Sequence, residues 1–129
     1  MIWRYGLWSL LKFDRLIQNM LTNFAQIYPQ LNEGSSYPTV KDLLLAMGPV
    51  SKKGKRSTEM LEMASVPLNK KLEDVGVSKE FIDELARVGT RVNYGQMPDK
   101  MDAFVGSVAL AGAGLWAVEG GNYRLVRAQ

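Results

Sequence analysis

The sequence predicts a mainly α-helical chain of about four to six helices with little strand. Apolar residues recur every three or four positions along most of the 129 residues, which is the period of an amphipathic helix rather than of a strand. Residues that favour helix N-caps also precede several of these stretches, at Thr39, Ser65 and Ser78. The length fits one domain.

Residues 3–31 predict one long amphipathic helix, which Pro29 ends or bends. Its apolar stripe is broken only at Asp14 and comprises Trp3, Leu7, Leu10, Ile17, Leu21, Phe24, Tyr28 and Leu31. We expect the stripe to face a core rather than a membrane surface, because the polar side carries charges of both signs. Trp8 and Leu11 widen the apolar surface, which predicts self-association of the isolated chain.

Two shorter helices are predicted in the middle of the chain. Residues 32–39 form a loop by composition, and Thr39 caps the helix "VKDLLLAMG", with Gly48 at the C′ position. Ser65 caps the next helix, "VPLNKKLEDVG", with Pro67 in its first turn.

A fourth helix, "KEFIDELARVGTRVNY", follows the predicted cap Ser78. Gly89 weakens this helix, which indicates close packing or a bend. The chain breaks at residues 95–99, and a helix resumes near Lys100. The predicted apolar face comprises Phe81, Ile82, Leu85, Val88 and Val92.

Residues 103–118 carry no charge, but the run is shorter than the roughly 20 residues of a transmembrane helix. We interpret it as a buried segment whose small side chains let backbone or a flat ligand approach. Residues 112–117 match the dinucleotide pattern G-x-G-x-x-A. We interpret this match as accidental, because Glu119, Gly120 and Gly121 interrupt any following helix and no acid stands about 20 residues on.

The turn at Gly120 and Gly121 is the more informative feature. Its backbone carries no side chains, and Asn122 is a natural N-cap for a following helix. Such a turn leaves free N–H groups beside an uncovered backbone, which suits ligand binding. The alternative is an ordinary turn before a helix.

Composition excludes several classes of function. The chain has 16 Lys and Arg against 13 Asp and Glu, and this net charge of +3 is too small to indicate nucleic-acid binding. The basic residues 49–57 are interpreted as a solvated loop rather than a nuclear-import or anion patch. Because the chain has no Cys and no His, thiol nucleophiles, Ser-His-Asp triads and His/Cys zinc sites are excluded. No catalytic residue and no metal ligand is predicted.

Arg4 interrupts the apolar N-terminus, so this segment does not have the pattern of a secretory signal.

Three stretches together resemble the prenylcysteine oxidase (prenylcysteine lyase) family. They are "LNKKLEDV", residues 75–96 and residues 101–122. The signature elements are the F-I-D helix opening, R-x-x-Y-G-Q at 91–96, and S-x-A-L-A-G…L-W-x-V-E-G-G-N at 107–122.

The resemblance implies an FAD-dependent thioether oxidase that is lysosomal or secreted. Its substrate would be S-farnesyl- or S-geranylgeranyl-cysteine, released in the breakdown of prenylated proteins. The products would be cysteine, a prenyl aldehyde and hydrogen peroxide, with molecular oxygen as the electron acceptor. The parent fold would be an α/β Rossmann-type flavoprotein with a helical substrate region.

Under this resemblance, residues 1–129 form a partial, substrate-side region with no Rossmann FAD domain. We therefore expect the isolated chain to be inactive and to bind FAD weakly. The resemblance and the local chemistry together nominate cofactor contacts at Gly120, Gly121 and Asn122. The nominated substrate-pocket residues are Tyr94, Gln96, Phe104 and Trp116.

Each of these assignments has an alternative. The aromatic side chains could pack in an ordinary core, and Tyr94 and Gln96 could make helix-end hydrogen bonds. A rival function is a helical lipid- or protein-binding module that has no catalytic activity.

Overall fold

The computed structural model of the chain describes residues 2–50 and 54–112. In these residues the chain is helical, as predicted, but it forms nine α-helices and one π-helical turn rather than four to six helices. Their β structure is limited to the isolated bridges Val50–Arg56 and Pro67–Asp102. The elements are α1 Ile2–Tyr5, α2 Leu7–Ala25, α3 Ile27–Asn32, α4 Val40–Met47, α5 Glu59–Met63, α6 Leu68–Asp74, α7 Lys79–Phe81, a π-helical turn Ile82–Ala86, α8 Arg87–Tyr94 and α9 Ala103–Leu110.

The predicted helix over residues 3–31 is divided into three helices. Gly6 separates α1 from α2 with a φ of 77°, which favours glycine. The second break falls at Gln26, three residues before Pro29, the residue that was expected to end or bend the helix. Pro29 lacks the N–H that would reach the carbonyl of Ala25, and its ring crowds that carbonyl, so α2 ends at Ala25.

The predicted stripe is confirmed in part: Ile17 is buried, and Leu10, Leu21 and Phe24 pack partly buried against the core. The centre of the buried face is displaced from the predicted stripe by about one residue. Leu7 and Tyr28 are about half exposed, at 50% and 54%. Two small polar residues are buried because each finds a partner: Ser9 Oγ accepts from the Ser78 N–H at 2.5 Å, and Asn23 donates to Glu59 Oε2 at 3.2 Å. The buried positions are Ser9, Leu16, Ile17, Met20, Asn23 and Ile27.

Methionine and leucine fill the centre of the core. Met20, Met60, Met63, Leu68 and Leu72 are almost completely inaccessible to solvent. The short helix α5, which the sequence did not indicate, contributes two of these methionines. Flexible thioether chains suit the gaps between short helices that meet at many angles.

Of the three N-caps predicted within the described residues, two are confirmed. Thr39 accepts a hydrogen bond from the N–H of Asp42 at 3.1 Å, and Ser78 accepts one from Phe81 at 3.3 Å. Gly48 ends α4 but is not left-handed, with a φ of −74°. A Cβ there would collide with the carbonyl of Ser57, so close packing favours glycine.

The predicted cap at Ser65 is wrong. Its hydroxyl donates to the carbonyl of Leu61 at 2.8 Å, so it belongs to the end of α5. Backbone carbonyls from the loop before α9 satisfy the start of α6 instead: Leu68 N–H donates to Met101 at 3.0 Å, and Asn69 N–H donates to Pro98 at 3.1 Å.

The π-helical turn overturns the predicted face of the next helix. A π turn adds one residue and rotates everything after it. Val88 and Val92 are therefore exposed, at 57% and 78%, whereas Ala86 and Thr90 are fully buried.

Helix α9 packs closely because two glycines face leucines. A Cβ on Gly89 would lie 2.5 Å from Leu110 Cδ2, and one on Gly106 would lie 2.6 Å from Leu68 Cδ2. Residues 103–118 were expected to carry small side chains that let other groups approach closely. Within the described part of this run, Gly106 does so for the side chain of Leu68. The helix begins slightly later than predicted, at Ala103, where Asp102 accepts from the Val105 N–H at 2.8 Å.

We predict that Gly106→Val lowers the free energy of unfolding by about 2 kcal/mol, because the added side chain overlaps the fully buried Leu68. Urea unfolding followed by circular dichroism measures this. Val105→Ala, on the neighbouring and partly exposed position, is the control and should change stability far less. Equal midpoints for Gly106→Val and the native chain would contradict the close packing.

Candidate functional site

An open groove of about 470 Å³ lies where α2, α8 and the end of α9 meet. Most of its lining is aliphatic or lacks a side chain, and its polar groups come from two neighbouring residues of α8. The lining residues are Leu21, Asn93, Tyr94, Val108, Ala109, Ala111 and Gly112.

Local interactions fix the α8 wall of this groove. Asn93 Nδ2 donates to the carbonyl of Ala109 at 2.6 Å, which joins the last turns of α8 and α9. Gly95 then ends α8 in the left-handed conformation, with a φ of 67°, and its N–H donates to Arg91 at 2.9 Å. Tyr94 is consequently the last helical residue, and it lies half exposed in the groove.

Of the described residues predicted for the substrate pocket, the structure places only Tyr94 in the groove. Gln96 is exposed and does not line it. Phe104 is half-buried and packs against Phe24, with ring centroids 6.2 Å apart. The remaining nominated residues lie outside the described part of the chain: Trp116, Gly120, Gly121 and Asn122.

Sequence reasoning missed most of the groove. Leu21 packs against the core, as its place in the stripe predicts, but it is only partly buried and also lines this surface. Val108 and Ala109 belong to the uncharged run, which was the one available signal. Asn93 carried no signal, because its partner carbonyl lies on a helix that only the fold brings close.

The main electrostatic cluster lies away from the groove and connects α1 to the π turn. Arg4 contacts Glu84 through two hydrogen bonds, of 2.7 and 2.5 Å, and the Tyr5 hydroxyl donates to the same carboxylate at 2.9 Å. The bonds from Arg4 and then Tyr5 lower the pKa of Glu84. The bond to Glu84 is the main reason that the pKa of Tyr5 is raised.

The groove is built for binding rather than for acid–base chemistry. Tyr94 is its only titratable lining residue among those described. Within residues 2–50 and 54–112, no cluster of three or more Asp or Glu residues is placed to hold a metal ion. In the same residues, no helix is long and apolar enough to cross a membrane. The described lining of the groove is therefore mostly apolar, with one titratable side chain.

Comparison with known proteins gives the family. A family model described as prenylcysteine lyase matches residues 1–128. The chain is 36% identical to human prenylcysteine oxidase 1 over 124 residues, which are 95% of this chain and 23% of that protein. It is 34% identical to Arabidopsis thaliana farnesylcysteine lyase over 124 residues, which are 95% of this chain and 22% of that protein.

A further relative is bovine prenylcysteine oxidase 1-like, which is 33% identical over 122 residues, covering 93% of this chain and 23% of that protein. The chain belongs to the prenylcysteine lyase family. It spans less than a quarter of the length of these curated relatives.

We predict that Glu84→Gln flattens the loss of stability in acid. Because the native pKa of Glu84 lies below its ordinary value of 4.5, its carboxylate contributes stability above pH 4.5. That contribution is lost as pH falls through the lowered native pKa. The native chain should therefore lose thermal stability more steeply below pH 4.5 than Glu84→Gln does.

The melting temperature across an acid series measures this difference. Glu33→Gln, which neutralises an exposed carboxylate at the end of α3, is the matched control. Acid profiles of the same slope for Glu84→Gln and Glu33→Gln would show that the contacts with Arg4 and Tyr5 do not stabilise the fold.

Proposed function

We propose that this chain is the helical, substrate-side part of a flavoenzyme that oxidises the thioether of prenylcysteine. The observation that carries the proposal is the family match over residues 1–128, together with relatives named for prenylcysteine and farnesylcysteine. The proposed reaction converts prenylcysteine, water and oxygen to cysteine, prenyl aldehyde and hydrogen peroxide, which balances atoms and electrons. The proposed location is the lysosome or the secreted fraction.

The groove between α2, α8 and α9 is the proposed site for the isoprenoid. A farnesyl or geranylgeranyl chain has no polar group along its length, so burial of apolar surface must supply most of its affinity. Leu21, Val108 and Ala109 offer such surface. One N–H of the Asn93 amide is already bonded to a backbone carbonyl, which fixes this polar side chain at the edge of the apolar surface.

The start of α9 does not fit the pyrophosphate of FAD. A dinucleotide requires free N–H groups at the start of a helix for its pyrophosphate. The Asp102 carboxylate already occupies that position on α9, 2.8 Å from the Val105 nitrogen, and its charge opposes a phosphate. Flavin contact is therefore proposed only for Gly120, Gly121 and Asn122, which lie outside the described residues. When bound, the flavin supplies a hydride acceptor.

We predict that Val108→Asp weakens binding of S-farnesylcysteine at least about tenfold, because a carboxylate would have to lose water beside the apolar chain. Calorimetric titration of the native and variant chains measures this without requiring flavin. Val92→Asp places the same charge on α8 outside the groove, where the native side chain is 78% exposed, and should bind normally. If Val108→Asp and Val92→Asp bind S-farnesylcysteine with equal affinity, the groove is not the isoprenoid site.

A second experiment tests the glycine turn in a full-length member of the family that carries it. Gly121→Val adds a branched side chain where only backbone is expected to fit, so flavin content and turnover should fall further than the melting temperature explains. Asn122→Ala, if it removes only a cap, should cost about 1 kcal/mol of stability. Full flavin and normal turnover in Gly121→Val would make the turn a plain connection.

A further inference from the structure

The solvent-facing side of the first turns of α2 carries three large apolar residues. Leu7 is 50% exposed, Trp8 75% and Leu11 50%. Trp8 and Leu11 are three residues apart, so they lie on the same side of the helix. We call Leu7, Trp8 and Leu11 the α2 apolar patch.

Cations extend this patch along the helix. Lys12 follows Trp8 by four residues and Arg15 follows Leu11 by four, so each lies one turn beyond an apolar neighbour. Both are exposed. Farther along α2 the same side carries the uncharged Gln18, Asn19 and Thr22. One acid, Asp14, also lies on this side, three residues after Leu11 and seven after Leu7.

A basic hollow adjoins the patch and shares Lys12 and Arg15 with it. Lys12, Arg15 and Lys71 line a groove of about 260 Å³ together with one acid, Glu59. The carboxylate of Glu59 also accepts a hydrogen bond from Asn23 at 3.2 Å. Three cations against one acid favour an anionic group, such as a phosphate, at this position.

We propose that the α2 apolar patch and the hollow formed by Lys12, Arg15 and Lys71 dock the protein on an anionic phospholipid surface. Tryptophan and leucine enter the interface between headgroups and acyl chains, while neighbouring lysine and arginine side chains meet lipid phosphates. Three side chains cannot supply the roughly 800 Å² per partner of a stable protein interface, which disfavours a second copy of the chain.

Docking at α2 does not depend on the proposed oxidase activity. It would nevertheless serve that activity, because a prenylated cysteine is itself an amphiphile that partitions into lipid surfaces. Membrane binding and isoprenoid binding are separable, since the α2 apolar patch and the groove share no lining residue.

Sedimentation of the 129-residue chain with lipid vesicles tests this surface. We expect binding to phosphatidylcholine vesicles that contain about one-quarter phosphatidylserine, and binding at least about tenfold weaker to phosphatidylcholine alone. The double variant Lys12→Gln/Arg15→Gln should weaken binding to the mixed vesicles about tenfold. Leu11→Ser should weaken binding to both kinds of vesicle.

Two variants elsewhere serve as controls. Val92→Ser removes a more exposed apolar side chain from α8, and Lys41→Gln removes an exposed cation from α4; both should bind like the native chain. Circular dichroism of every variant should match the native chain, since all substituted residues are exposed. Native-like vesicle binding by Leu11→Ser, or no vesicle binding by the native chain, would overturn the proposal. Conversion of a sedimenting dimer to monomer by Leu11→Ser, without vesicle affinity, would instead assign the patch to a second copy.

Discussion

The close approach of α9 to its neighbours is the constraint on which the rest of the structure depends. Gly106 lets the fully buried Leu68 of α6 reach the backbone of α9. In the same way, Gly89 lets Leu110 of α9 reach the backbone of α8. A backbone hydrogen bond also joins the starts of α6 and α9: the Ala103 N–H donates to the carbonyl of Val66 at 2.8 Å. Any larger side chain at either glycine would separate helices that the core requires in contact.

The groove follows from the same packing. Since α8 and α9 lie so close, Asn93 can reach the carbonyl of Ala109, and this bond holds the polar side chain beside the apolar wall. Apart from Tyr94, the remaining described surface is formed by small and aliphatic residues. Such a surface gains affinity from apolar burial and gives little discrimination between polar ligands.

The sequence predicted hydrogen bonds at helix starts better than it predicted which face of a helix is buried. Thr39 and Ser78 cap their helices as predicted, because a cap depends on residues three positions away. Burial of Ser9 depends on Ser78, which is distant in sequence, and no periodicity reveals that partner. The π turn after Phe81 likewise shifts the buried face without a sequence signal. The candidate groove shows the same division: Tyr94 was nominated from a motif and lies in the groove, whereas Leu21 and Asn93 were found there only from the fold.

The chemistry of the groove is consistent with a division of labour inside a larger enzyme. Oxidation of a carbon next to sulfur needs the substrate held at a fixed distance and orientation from the hydride acceptor, and precise positioning alone can lower a barrier by several kcal/mol. Tyr94 is the one titratable residue in the described lining of the groove, and a region of this kind can still make that contribution. In the proposed enzyme, the helices bind the isoprenoid chain, which is the part of the substrate that does not react. Affinity for the isoprenoid chain then holds the reacting carbon in place, which is how remote binding energy is converted into rate.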